Sequence, residues 1–216
     1  MHLTKLILAT TALAAVAVAQ NPITADSPFQ VRYASNLTVS DSVINITNTG
    51  ANGASLFGPG FGGAAGNICV NVYAFAPDEQ LISCCSCLVT PDGLVSLSVV
   101  NDLISNTLTG VRPSSVVVKL ISTLAGTGGT GTSCTNSATA VNPANLAIGL
   151  AAWGTTIHAS PTGFATTETA FTPSTLSAGE LASVTNRCTN IIGNGTGFGI
   201  CGSCRAGGLG AATSAN

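Results

Sequence analysis

Residues 67–100, NICVNVYAFAPDEQLISCCSCLVTPDGLVSLSVV, pack three apolar stretches, two turn signals and four cysteines into one short run. Ile68, Val70 and Val72 alternate with Cys69, Asn71 and Tyr73, and Val95, Leu97 and Val99 alternate with Ser96 and Ser98. A period of two belongs to strands with one buried face. Pro77-Asp78-Glu79-Gln80 and Pro91-Asp92-Gly93 break the pattern: proline presets φ, aspartate bonds its own backbone and glycine accepts positive φ. The run predicts two hairpins, a β-meander that its cysteines can staple.

The chain has eight cysteines, at Cys69, Cys84, Cys85, Cys87, Cys134, Cys188, Cys201 and Cys204. An even number in an exported chain implies four disulfides, although eight cysteines allow 105 connectivities. A turn at 77–80 sets Cys69 nearly opposite Cys87, which is the one local pairing the spacing suggests. Cys84 and Cys85 are neighbours on a strand, so they point to opposite faces and need different partners, drawn from the four distant cysteines. Cys84 to Cys87 and Cys201 to Cys204 also have C-x-x-C spacing, which could hold zinc or, at Cys201 and Cys204, act in redox exchange. Cys201 and Cys204 lack the strand before and helix after of a redox motif, and an oxidising compartment favours bridges over zinc.

The first 19 residues, MHLTKLILATTALAAVAVA, have a short basic start, an apolar run and small residues at Ala17 and Ala19. They read as a secretory signal (1–19) cleaved before Gln20. The apolar run is shorter than a bilayer span and no stop-transfer segment follows, so no membrane span is expected after cleavage. Charged residues make up only 6% of the chain, against a usual share of about 25%. Without Lys5, five cations face eight carboxylates, a net charge of −3. No basic patch exists, which argues against nucleic acid as a partner. So few charges also give little repulsion between copies, and self-association is cheap.

In chain order, residues 20–35 hold two prolines and a weak alternation, and read as an extended N-terminal arm. Residues 36–204 form a single β-rich domain. Within it, Asn36 to Thr47 is β-branched and shifts parity from Leu37 and Val39 to Ile44 and Ile46, as a bulge or turn at Asp41 would require. Residues 48–66 are a glycine-rich loop, and 101–113 an irregular crossover. Ser114 to Thr123 is a strand. Asn145 to Ala159 reads as a long strand with a bulge near Gly149 to Gly154. One helix is signalled at 178–192: Ser177 caps it, Glu180 completes a capping box, and Leu181, Val184, Cys188 and Ile191 form one apolar face. Residues 205–216 are a flexible tail. The sum is mainly β: an antiparallel β-sandwich with one C-terminal helix, disulfide-stapled.

The stretches NICVNVYAFAPDEQLISCCSCLVTPDGLVSLSV, VVVKLIST, LAIGLAAWGTTIHA and LSAGELASVTNRCTNIIGNGTGFGICGSCRAGGLGA together resemble a populous set of uncharacterised secreted proteins of soil acidobacteria. The resemblance covers most of the chain beyond the leader. It implies export and a disulfide-bonded β-rich domain, and it supplies no catalytic residue.

The residues themselves spell out no reaction, metal site or cofactor. His158 is the single histidine beyond the leader, and no G-x-S-x-G or comparable nucleophile context accompanies it. Asp78 and Glu79 sit in a turn, where solvation explains them. Lys119 lies among valines and reads as a charge guarding a sheet edge, with an isopeptide bond as the sharper alternative. Asn36, Asn45 and Asn194 begin Asn-x-Thr acceptor patterns, frequent by chance in a threonine-rich chain. Export, bridges and few charges point to a secreted structural or cell-surface protein, self-assembling by strand addition of the arm or joined to other extracellular surface components. The alternative is an extracellular ligand- or carbohydrate-binding module with Phe57, Phe61, Trp153 or Phe164 as stacking platforms.

Overall fold

The computed structural model describes residues 26–56, 65–137, 139–202 and 204–206, the last two by backbone alone. The signal 1–19, the start of the arm, Phe57, Phe61 and the tail beyond 206 lie outside the described residues. The elements in order are β1 (Phe29–Ala34), β2 (Ser42–Asn48), β3 (Ile68–Phe75), β4 (Leu81–Val89), β5 (Leu94–Ser98), β6 (Val116–Leu124), β7 (Leu150–Ser160), β8 (Gly163–Ala170), β9 (Thr172–Pro173), α1 (Ala178–Gly193) and β10 (Arg205–Ala206). Two five-stranded antiparallel sheets result, ordered β4-β3-β6-β1-β9 (sheet A) and β10-β5-β2-β7-β8 (sheet B). The β-sandwich read from the sequence is the fold.

The period of two explains the layers. Ile68, Val70, Val72 and Ala74 of β3 and Val116, Val118 and Leu120 of β6 meet Ile44, Ile46, Val95 and Leu97 of sheet B in the core between the sheets. Each fully buried aliphatic there contributes about 1.5–3 kcal/mol. The opposite face of sheet A is also covered. Tyr73, Phe75, Ile121 and Cys84 pack against Leu181, Val184, Cys188 and Ile191 of α1. Ser177 caps that helix by accepting a hydrogen bond from the Glu180 amide at 3.1 Å.

The four bridges are Cys69–Cys134, Cys84–Cys188, Cys85–Cys201 and Cys87–Cys204. The expected proximity of Cys69 and Cys87 gives way for a geometric reason. In the β3–β4 register Cys69 faces Leu88 and Val70 faces Cys87, so Cys69 and Cys87 point to opposite faces. The opposite-face reading of Cys84 and Cys85 holds: one joins α1 outside sheet A and the other joins Cys201 beside the inner core. Loops of 65 to 117 residues are each worth about 4–5 kcal/mol on a chain-entropy basis, taken singly.

Four other expectations are corrected. First, Pro91-Asp92-Gly93 does not close a hairpin, because β5 pairs with β2 and β10 in sheet B, so this turn carries the chain from one sheet to the other. Second, the described part of the arm pairs within its own chain, Phe29–Ala34 lying between β6 and β9, so it is not the strand that adds to another copy. Third, of the bulge or turn expected at Asp41 the structure has the turn, placed earlier: Leu37 and Val39 fall in a turn that starts at Asn36, whose φ is +61°. Fourth, β7 begins at Leu150 and pairs with β2 without a register break, so the glycine irregularity sits before the strand, at Gly149. The 101–113 crossover begins with a π-helical turn, Val99–Leu103, and is irregular after it.

Candidate functional site

Sheets end in edges, and an unpaired edge is where a β protein can join another chain. Three of the four edges here are blunted. Along β4, Leu108 N–H donates to the Ile82 carbonyl at 2.8 Å, Cys84 N–H to the Gly199 carbonyl at 2.9 Å and Cys201 N–H to the Cys84 carbonyl at 3.2 Å. Segments near 108 and 199–202 therefore strap that edge, and the bridges to Cys201 and Cys204 fasten the second strap covalently. At the other end of sheet A, β9 is two residues long and contains Pro173, which offers no donor. In sheet B, β10 covers β5 with two residues.

The fourth edge is β8. Eight residues pair with β7 from Ser160↔Gly163 to Trp153↔Ala170, and no other strand among the described residues lies beyond them. Every residue of β8 is exposed. A two-residue turn, Pro161-Thr162, makes Ser160 and Gly163 a hydrogen-bonded pair, after which bonded and non-bonded pairs alternate. The Phe171 amide, which donates to the Ala152 carbonyl at 2.9 Å, keeps the same phase. Phe164, Thr166, Glu168 and Ala170 consequently aim their amides and carbonyls away from β7. The strand carries one charge, Glu168, and neither lysine nor proline. It lacks the usual guards of an exposed edge.

The outer face of sheet B holds a polar chain across four strands. Ser96 Oγ donates to Asn45 Oδ1 (2.7 Å), Asn45 Nδ2 to Thr155 Oγ1 (3.1 Å), and Thr155 Oγ1 to Glu168 Oε1 (3.1 Å). Trp153, half-buried, is opposite Asn45 on this face. Phe164, 81% exposed, shares the face at the hairpin tip, opposite Ala159. Six strand residues separate it from Trp153, about 20 Å.

Between the sheets at the root of the hairpin sits Arg32, buried to 7% exposure. Its Nη1 donates to Ser42 Oγ at 3.0 Å and its Nη2 to Thr156 Oγ1 at 2.8 Å. Burial lowers its pKa from the ordinary arginine value. Gln30, on the same face of β1, donates through Nε2 to the Leu150 carbonyl at 2.7 Å. Polar side chains of β1 thus hold β7, and with it the hairpin, where apolar packing thins out.

The remaining sequence candidates fall elsewhere. His158 is exposed and its Nε2 lies 3.1 Å from Thr167 Oγ1; no carboxylate among the described residues is within 4.0 Å of it. Lys119 is in β6, a central strand, so it guards no edge; its Nζ meets Glu180 Oε1 of α1 at 2.5 Å and stands 4.6 Å over the Phe75 ring. Asn36 and Asn194 are exposed, while Asn45 is spent in the polar chain. The sulfurs of Cys85, Cys87 and Cys204 lie within 4.8 Å of one another, but each is in a bridge and has no thiolate to offer a metal. Sequence reasoning missed β8 itself. Its signal was the density of threonine after the Pro161 to Gly163 turn.

Among the described residues no helix is long and apolar enough to cross a membrane. The chain matches no protein-family model, no curated protein and no solved structure.

Proposed function

We propose that the chain is an exported structural or cell-surface protein that associates with further copies of itself by strand addition at β8. The observation that carries this reading is an eight-residue open edge on a sandwich whose other three edges are strapped or short. Geometry suits a second copy. A two-fold axis through Thr167 sets Phe164 opposite Ala170 and Thr166 opposite Glu168, so the outward amides and carbonyls of both strands meet and Glu168 never faces Glu168. The two B sheets then run on as one, with a common outer face. Four disulfides and the leader read in residues 1–19 support export. The low charge of the chain removes the repulsion that would oppose assembly.

Sedimentation velocity across a concentration series tests the edge. Wild type should associate, and Thr166→Pro should remain monomeric with an unchanged circular dichroism spectrum, because it deletes an outward donor without touching the β7 ladder. A wild type that stays monomeric at its highest soluble concentration rejects the reading. Export is checked separately by N-terminal sequencing of secreted protein, expected to begin at Gln20.

A second reading is favoured by the outer face of sheet B, where Trp153 and Phe164 flank the hydroxyl, amide and carboxylate groups of Thr155, Asn45 and Glu168. Stacking surfaces about 20 Å apart with hydrogen-bonding groups between them suit an extended glycan. Quenching of the single tryptophan by oligosaccharides, lost in Asn45→Ala, would support it; a flat titration across a glycan panel would dismiss it.

A further inference from the structure

The bridges follow a strict order along the chain. Numbered from the N-terminus, the first cysteine joins the fifth, the second the sixth, the third the seventh and the fourth the eighth. No two consecutive cysteines are partners. An exported chain presents Cys69, Cys84, Cys85 and Cys87 to the oxidising compartment before any of their partners has emerged. Chain statistics reinforce the problem. Closing the 15-residue interval between Cys69 and Cys84 is roughly 20-fold more probable than closing the 117-residue loop of Cys87 and Cys204.

A second observation concerns the finished fold. Cys85 and Cys87 are two residues apart on one side of β4, and the Cys204 sulfur lies within 4.8 Å of both. Cys204 is bonded to Cys87, yet its sulfur also lies within 4.8 Å of Cys85, so a small shift of the chain would let either cysteine of β4 meet it.

We infer that this chain is a substrate of a dithiol exchange catalyst, a disulfide isomerase of the compartment into which it is exported, and that the trio Cys85, Cys87 and Cys204 is the main point of exchange. The inference depends on the export reading for the order in which the cysteines emerge and for where the catalyst acts, while the loop statistics and the trio stand without it. A catalyst thiolate attacks one sulfur of a wrong bridge, forms a mixed disulfide and expels a chain thiolate. A chain thiolate then attacks the mixed disulfide and releases the catalyst thiolate. One S–S bond is lost and one gained, with no net transfer of electrons. The oxidation that precedes it removes two electrons and two protons per bridge, which an oxidised glutathione takes up to become two reduced molecules.

The test oxidises the reduced full-length chain with stoichiometric oxidised glutathione, with and without a catalytic amount of a dithiol disulfide isomerase, and maps the bridges by peptide mass spectrometry. Without catalyst, pairs among Cys69, Cys84, Cys85 and Cys87 should dominate at first. With it, the native set should appear at least about tenfold faster, in line with exchange being the slow step. Equal rates with and without catalyst overturn the inference. Cys87→Ser gives a second readout: Cys85–Cys201 and Cys85–Cys204 should both form, whereas Cys85–Cys201 alone would remove the trio from the argument. Protein isolated from its producer with eight reduced thiols would reject export instead, and would leave this comparison in solution standing.

Discussion

Arg32 of β1 lies so close to Gly154 of β7 that a Cβ at position 154 would sit 2.0 Å from the guanidinium carbon. Glycine is needed there because an arginine, not an aliphatic side chain, fills the gap between the sheets. Gly154→Ala should cost about 1–3 kcal/mol in chemical denaturation, as overpacking does. In an Arg32→Ala background the cost of the same change should shrink, which a double-mutant cycle would measure.

Tyr73 is fully buried and its hydroxyl has no hydrogen-bond partner among the described residues. Tyr73→Phe should therefore leave stability unchanged or raise it by about 1 kcal/mol, since it removes an unpaired polar group and keeps the ring. Burial also pushes the phenol pKa above its usual value by penalising the phenolate. The unfolded chain releases this proton near pH 10, so the native state keeps full stability below that pH. Above it, this residue should cost stability by up to about 1.4 kcal/mol per pH unit, until the buried phenol itself ionises. Urea titrations between pH 9 and 11 should show the decline in wild type and a shallower one in Tyr73→Phe.

Glu180 joins the first turn of α1 to Lys119 in the middle of sheet A. Both side chains are partly exposed, so the pair is a modest clamp rather than a buried anchor. Glu180→Gln should lower stability by up to about 1 kcal/mol at low salt, and the difference from wild type should fall in 1 M sodium chloride. Thermal melts at the two ionic strengths would show this.

What could be read from the chain depended on range. The helix at 178–193 was legible because its signals are local: a serine cap, a glutamate three residues on and apolar residues three and four apart. The strands of sheet A were legible through their alternation. The route between sheets was not. Pro91-Asp92-Gly93 has the chemistry of a tight turn whether β5 returns beside β4 or crosses to β2, and only the packing of Val95 and Leu97 against the core decides it. β8 escaped notice because neither of its faces is buried, so no apolar period marks it. Cys84 and Cys85 gave up their opposite directions but not their partners, which lie over a hundred residues away.

The straps along β4 also bear on how the molecule meets digestion. Every bridge links a cysteine between 69 and 87 to one between 134 and 204. A proteolytic cut within the exposed stretch 109–112 would therefore free no fragment, since both halves stay tied by four covalent bonds. Protein nicked between Cys87 and Cys134 should migrate as an intact chain until a reductant is added, so the covalent frame outlasts the backbone it was built on.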